Sequence, residues 1–297
     1  MIPLSAKNDA VVVLVALLVT LTTTEMWLSY RENRKYYEKR DTLTNICLTT
    51  ITFFINLAVK GSTFFIFQYF YQFRWLEIRN VFWYWLVLIV TQDFLYWVLH
   101  YTGHYCRFFW AMHVTHHSSE HFNYSTGFRS TVFEPLYRVF FYLPLALMGF
   151  APMDILYAYL LTQLYGNLVH TQFEIKLPKW YGWIFVTPSH HRVHHASNIP
   201  YLDKNMAMML IIWDRLFGTY QDENLPEPIR YGLTHQLEDT SVTNTIFHEW
   251  KALYRDVKTA PGVKNKLGYI FNPPGWSHDG STQTARVLQR EYEEKAA

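Results

Sequence analysis

Eleven of the fourteen histidines fall between His100 and His195, and eight of them form three spaced groups: His100/His104, His113/His116/His117 and His191/His194/His195. Residues three or four apart on a helix share a face, so each group can present two or three imidazoles to one centre. A zinc-type site takes about four ligands. Eight imidazoles therefore imply two ions sharing the three groups. His170, beside Asn167 at the end of an apolar run, is a ninth candidate ligand. His190 fits the spacing less well than His191 and is assigned a supporting role. His121, His235, His248 and His278 lie outside the pattern and are expected not to bind metal.

Absent motifs narrow the chemistry. No HExxH pair, GxSxG elbow or phosphate-binding glycine loop occurs, so zinc-protease, serine-hydrolase and nucleotide-hydrolase readings lack their defining residues. Imidazole suits Fe, Zn, Cu and Ni alike. No carboxylate base accompanies the clusters, which disfavours hydrolysis, whereas iron with O2 attacks the unactivated C–H bonds a lipid tail offers. Asp93 lies seven residues before His100 inside an apolar run, where a bare charge is expensive. It is expected to accept a ring N–H from a ligating histidine and fix its tautomer. Cys47 and Cys106 form no CxxC pair and imply no disulfide framework.

Elements able to hold such a site are long and apolar. Half of the chain is apolar and 19% aromatic, concentrated in runs from Ala10 to Leu28, Leu43 to Phe73, Val81 to Leu99, Val132 to Phe150 and Met153 to Val169. Several reach the ~20 residues a bilayer requires. The expected fold is all-α: a polytopic transmembrane helix bundle over residues 1–172 carrying the first two histidine groups, and a cytoplasmic, mainly helical cap over 173–297 carrying the third. The two parts form one functional unit. The first run has Asp9 beside Lys7 and no small-residue cleavage pattern, so it reads as an uncleaved anchor. Arg31, Arg34, Lys35, Lys39 and Arg40 place the following loop in the cytoplasm by the positive-inside rule. If Leu43 to Phe73 crosses once, Val81 to Leu99 returns His100 to that face, and a hairpin turning at Ala151 and Pro152 returns His170. Lys60 and Gly61 interrupt the second run, and a re-entrant break there would change the count.

The spacing and flanking motifs resemble the fatty acid hydroxylase / sterol desaturase superfamily, and within it the alkylglycerol monooxygenase branch. The resemblance rests on His116-His117-Ser118-Ser119-Glu120 with Asn123-Tyr124-Ser125-Thr126, on Thr187 to His195, on Asp203-Lys204-Asn205, on Ile212 to Thr219, on Tyr231 to His235 and on Pro274-Gly275-Trp276. It implies an integral membrane di-iron oxygenase whose ligands are the eight grouped histidines with His170 added. Two Fe ions per chain, O2 as co-substrate, a membrane lipid as substrate and a tetrahydropterin or another external electron donor follow from the same resemblance. The branch implies hydroxylation of the carbon next to an ether oxygen. Glu120, Asn123, Asp203, Asn205 and Asp214 match family positions, either as supports of the ligands or as helix caps and loop closures. An Asp214–Arg215 ion pair is one form of the latter. Tyr105 departs from the animal pattern, which has Glu after the second histidine of HxxxH.

Two other readings compete. Desaturation or hydroxylation of a sterol, carotenoid or fatty-acyl chain would use the same site. A metal-ion transporter would need ligands along a path near the bilayer midplane, whereas these cluster at the ends of apolar runs. No nucleic-acid partner is expected.

Overall fold

The computed structural model describes residues 4–129 and 131–296. Three long helices come first: α1 (Leu4–Arg31), α2 (Lys39–Tyr71) and α3 (Val81–Tyr105). Each contains a stretch long and apolar enough to cross a membrane. Their outward faces carry large apolar side chains, such as Phe53, Phe54 and Phe65 at 60–70% exposure. Water would penalise such a surface and lipid would not. The chain is an integral membrane protein. α2 runs unbroken through Lys60 and Gly61, so the re-entrant break is not formed; its 33 residues span roughly 50 Å.

α3 turns sharply at Cys106, whose φ of −132° and ψ of 117° end the helix, and α4 (Arg107–His117) folds back against it. Gly103 faces the His113 ring in that return, where a Cβ would sit at 3.4 Å, an ordinary van der Waals distance. A four-residue turn, α5 (Tyr124–Gly127), leads to the hairpin of α6 (Glu134–Leu147) and α7 (Pro152–Leu168). Its turn lies where Ala151 and Pro152 were expected to reverse the chain. Gly149 is required there: its φ is +97° and a Cβ would collide with the Leu76 carbonyl. Phe67 of α2, Leu88 of α3, Val139, Leu145 and Ala146 of α6, and Ile155 and Ala158 of α7 form the shared apolar core.

The remaining chain folds onto the far end of α3. Short helices α8 (Lys179–Ile184), α9 (Pro188–His194) and α10 (Ile212–Phe217) are joined by loops, followed by α11 (Val242–Thr259), α12 (Gly262–Phe271) and α13 (Ala285–Ala296). Trp97 of α3 packs with Val169, Val186, Met206, Ala207 and Ile211. Arg107 of α4 bonds Glu249 at 2.7 Å and Asp256 at 2.6 Å, tying α11 beside the second histidine group. Among the described residues helix is the only regular structure apart from two isolated bridges, Phe185 with Leu210 and Ala196 with Tyr231.

Candidate metal centre

The nine candidate histidines meet at the junction of α3, α4, α9 and the end of α7. They divide into two sets: His100, His104, His113, His117 and His194, and His116, His170, His191 and His195. Within each set, one ring nitrogen from every histidine lies within 4.8 Å of all the others. The division refines the expectation that each HxxHH places its histidines on one face toward one centre. His113 and His117, one turn apart, join the first set while His116 joins the second. His191 and His195 join the second while His194 joins the first. The i, i+4 pair shares a direction, and the i+3 residue lies about 60° short of the pair's first member on a 3.6-residue helix. Each HxxHH therefore reaches both sets and interlocks them. The rings of His116 and His195 are 4.5 Å apart, and those of His117 and His194 are 4.8 Å apart.

Protons are arranged so that lone pairs face inward. The Nδ1–H groups of His100, His116, His170 and His194 donate to the carbonyls of Met206 (2.6 Å), Arg129 (3.0 Å), Gly166 (2.7 Å) and Lys204 (2.9 Å). His104 Nδ1 donates to Asp203 at 3.0 Å. With Nδ1 protonated, Nε2 of each neutral ring is left with its lone pair. His113 Nε2 then lies 2.9 Å from His100 Nε2 and 3.1 Å from His117 Nε2, and one proton cannot serve both contacts. The Nε2 atoms of His104, His194 and His195 are buried with no partner among the described residues. Buried polar atoms are ordinarily satisfied, and converging lone pairs repel unless an electrophile sits between them. The donor set fits metal ions. Burial, reinforced by neighbouring imidazoles, pushes the pKa values of His113, His117, His191, His194 and His195 well down; burial also lowers His116, to about 4. Neutral imidazole is the ligating form.

The supporting residues take several different roles. Asp203 holds His104, as a supporting residue should. It and Asn205 have φ of 53° and 54°, the left-handed region that Asp and Asn tolerate best among residues with a side chain. This turn aims the Asp203 carboxylate at His104 and the Lys204 carbonyl at His194. Asn205 closes the loop by donating to the carbonyls of His190 and Gln221. Asp93 does not accept from a histidine: its carboxylate takes the N–H groups of Met209, Leu210 and the Trp213 indole at 2.9–3.1 Å. Seven residues put it two turns, about 10 Å, from His100, too far to reach that ring but level with the loop that follows Met206. Asp214 forms no ion pair with Arg215. It accepts from Trp97 Nε1, the N–H groups of Met206 and Ala207, and Thr219 Oγ1, while Arg215 lies 3.6 Å from the Tyr220 ring centroid.

His190 stays outside both sets and caps α9. Thr187 accepts from the His190 N–H, and His190 Nδ1 accepts from the Thr187 N–H. Asn123 caps α5, accepting from Ser125 and Thr126, and Glu120 is exposed. Asn167 adjoins His170 and lines a cavity of about 700 Å³. His100, His113, His116, His170 and His191 form part of that cavity's wall, which continues between α2, α3, α6 and α7. Sequence reasoning missed the carbonyls that orient the rings, since a backbone acceptor has no residue signature. It also missed Glu25 of α1, which accepts from Tyr37, the Tyr124 N–H and Thr171, the residue next to His170. Its signal was a lone carboxylate in an apolar run.

The chain is 40% identical to an alkylglycerol monooxygenase of Homo sapiens over 195 residues, 65% of this chain and 43% of that protein. It is 30% identical to one of Caenorhabditis elegans over 265 residues, 84% of this chain and 51% of the relative. An ornithine lipid hydroxylase of Rhizobium tropici is 28% identical over 148 residues, 49% of this chain and 44% of its own length. The chain thus spans about half the length of the curated relatives it matches. No solved structure matches it significantly. The fatty acid hydroxylase family model matches residues 85–219, an interval that includes all nine clustered histidines.

Proposed function

We propose that the chain is an O2-dependent, di-iron lipid hydroxylase whose nine clustered histidines are the metal ligands. The observation that carries this reading is that both histidine sets contribute to the wall of one cavity running into the membrane helices. Five imidazoles would hold one iron and four the other, and iron in this setting supplies the oxidation of a C–H bond by O2. The protein's part is positional. Carbonyls and Asp203 hold the ring N–H groups outward so that the ligating nitrogens face the centre. The helix walls receive an alkyl chain and limit water at the reacting carbon.

The alkylglycerol monooxygenase and ornithine lipid hydroxylase relatives support a lipid substrate and hydroxylation. An ether lipid, with attack at the carbon beside the ether oxygen, is the substrate we favour, with a tetrahydropterin as electron donor. The basic residues between Arg31 and Arg40 support a cytoplasmic position for the site, and residues 173–297 act as its cap, inseparable from the bundle because His191, His194 and His195 complete both sets. The test is O2-dependent conversion of a labelled alkylglycerol with a tetrahydropterin by the purified, iron-loaded protein. Release of labelled aldehyde supports the reading. Product that has lost two hydrogens and gained no oxygen would instead assign desaturation.

A further inference from the structure

The cavity wall offers more hydrogen-bonding capacity than a bare hydrocarbon tail can use. Gln163 and Asn167 lie one turn apart on α7 and both line the cavity. Asn167 Nδ2 donates to the Gln163 carbonyl at 3.0 Å, which leaves Oδ1 as its open acceptor. That atom and Gln163 Nε2 are both buried with no partner among the described residues. The Oδ1 atom points toward Gly127, another cavity-lining residue, where a Cβ would come within 2.7 Å of it.

Arg138 of α6 adds a second group of donors. Its side chain is 20% exposed within a hairpin of apolar helices, a setting in which a charged residue is costly without a task. It donates to Tyr159 Oη at 2.7 Å and to Asn56 Oδ1, and a guanidinium has five N–H donors. Donors therefore remain beside the cavity after both bonds are made. Glu134 Oε1 lies 4.0 Å away and compensates the charge, which removes the attraction a phosphate would need. Lys60, the other Lys or Arg of the wall, is exposed.

We propose that Gln163, Asn167 and Arg138 form a polar subsite that binds an uncharged, hydroxyl-bearing segment of the lipid. Donors from Gln163 and Arg138 meet its oxygens, Asn167 Oδ1 accepts a hydroxyl proton, and the apolar lining residues take the alkyl chain. This deepens the lipid-oxygenase reading and rests on it for the identity of the ligand as a lipid. Its test needs no turnover.

The full chain, purified in detergent without added iron, is assayed for binding of radiolabelled hexadecylglycerol. Competitors are hexadecyl methyl ether, which keeps the ether and loses the hydroxyls, and a hexadecyl phosphocholine. The diol is expected to bind about tenfold more tightly than the methyl ether, as one or two net hydrogen bonds would give. Q163L and N167L should each weaken the diol about three- to tenfold and leave the methyl ether unchanged. These two variants carry the test because R138M removes an interhelical tie and can fail to fold. Equal affinity for diol and methyl ether, or unchanged diol affinity in both variants, overturns the subsite; tighter binding of the phosphocholine overturns its preference for an uncharged group. Selective diol binding without oxidation by the iron-loaded protein would remove the oxygenase reading and leave the subsite standing. Oxidation without diol selectivity would do the reverse.

Discussion

Replacing Asp214 by Asn removes one charge and almost no volume, yet it should loosen the loop that orients His100. The Asp214 carboxylate is fully buried and surrounded by donors alone. Oδ1 accepts from Trp97 Nε1 at 3.1 Å, the Met206 N–H at 2.8 Å and Thr219 Oγ1 at 2.6 Å, and Oδ2 accepts from the Ala207 N–H at 2.8 Å. Asn must turn its NH2 toward one of these sides. Facing Ala207 costs least, since one bond is lost there instead of several. Losing a hydrogen bond to a charged group costs about 1.5–3 kcal/mol, and stranding a buried N–H adds about 1–3 kcal/mol, so D214N should lose about 3–5 kcal/mol. At about 2–4 °C per kcal/mol for a chain of this size, the melting temperature in detergent should drop by roughly 6–20 °C. Because Met206 also accepts the His100 Nδ1 proton, bound iron should fall in the same variant below its melting temperature. T219V, which removes one donor to the carboxylate and strands no buried N–H, should cost about 1.5–3 kcal/mol. A D214N protein melting within about 2 °C of the parent and retaining its full metal would refute the reasoning.

Three further outcomes follow from the same geometry. H116A and H194A should each abolish turnover and lower bound iron while the protein still elutes as a folded membrane protein, since the apolar core around Leu88 and Leu145 involves neither ring; wild-type turnover in either would defeat the ligand assignment. G127A should push a Cβ to within 3.0 Å of the His170 ring and 2.7 Å of Asn167 Oδ1, so iron held by the four-histidine set should be lost first, as metal analysis would show. In the metal-free protein, His116 titrates near 4 when folded and near 6.5 when unfolded. The unfolded chain therefore takes up protons first, and stability should be complete above about pH 6.5 and decline as pH falls toward 4; a melting temperature flat across that window would contradict a buried neutral cluster.

Much of the site is legible in the residues. The i, i+3 and i+4 spacings identify eight of the nine histidines brought together, the end of an apolar run beside Asn167 points to His170, the apolar runs identify the helices that carry them, and the Ala151–Pro152 hairpin forms where expected. What failed were inferences about partners. Asp93 is aligned with His100 along α3, yet reach along a helix is limited by its rise, and the carboxylate meets backbone N–H groups of a loop more than a hundred residues later. Asp214 next to Arg215 suggested an ion pair, but adjacent residues on a helix point apart. The allocation of each HxxHH to two centres depends on how α4 and α9 cross, a tertiary property that spacing on one helix does not contain. The four ring-orienting carbonyls have no sequence code, although two Asp/Asn residues flanking Lys204 in a loop signal the left-handed turn that presents one of them.

Iron content of anaerobically purified protein, compared with H116A and H113A, tests the central claim most directly. Two interlocked centres of five and four imidazoles predict about two irons per chain, with H116A emptying chiefly the four-histidine centre and H113A depleting chiefly the other. A folded parent protein that binds no iron, or one iron lost equally in both variants, would contradict it.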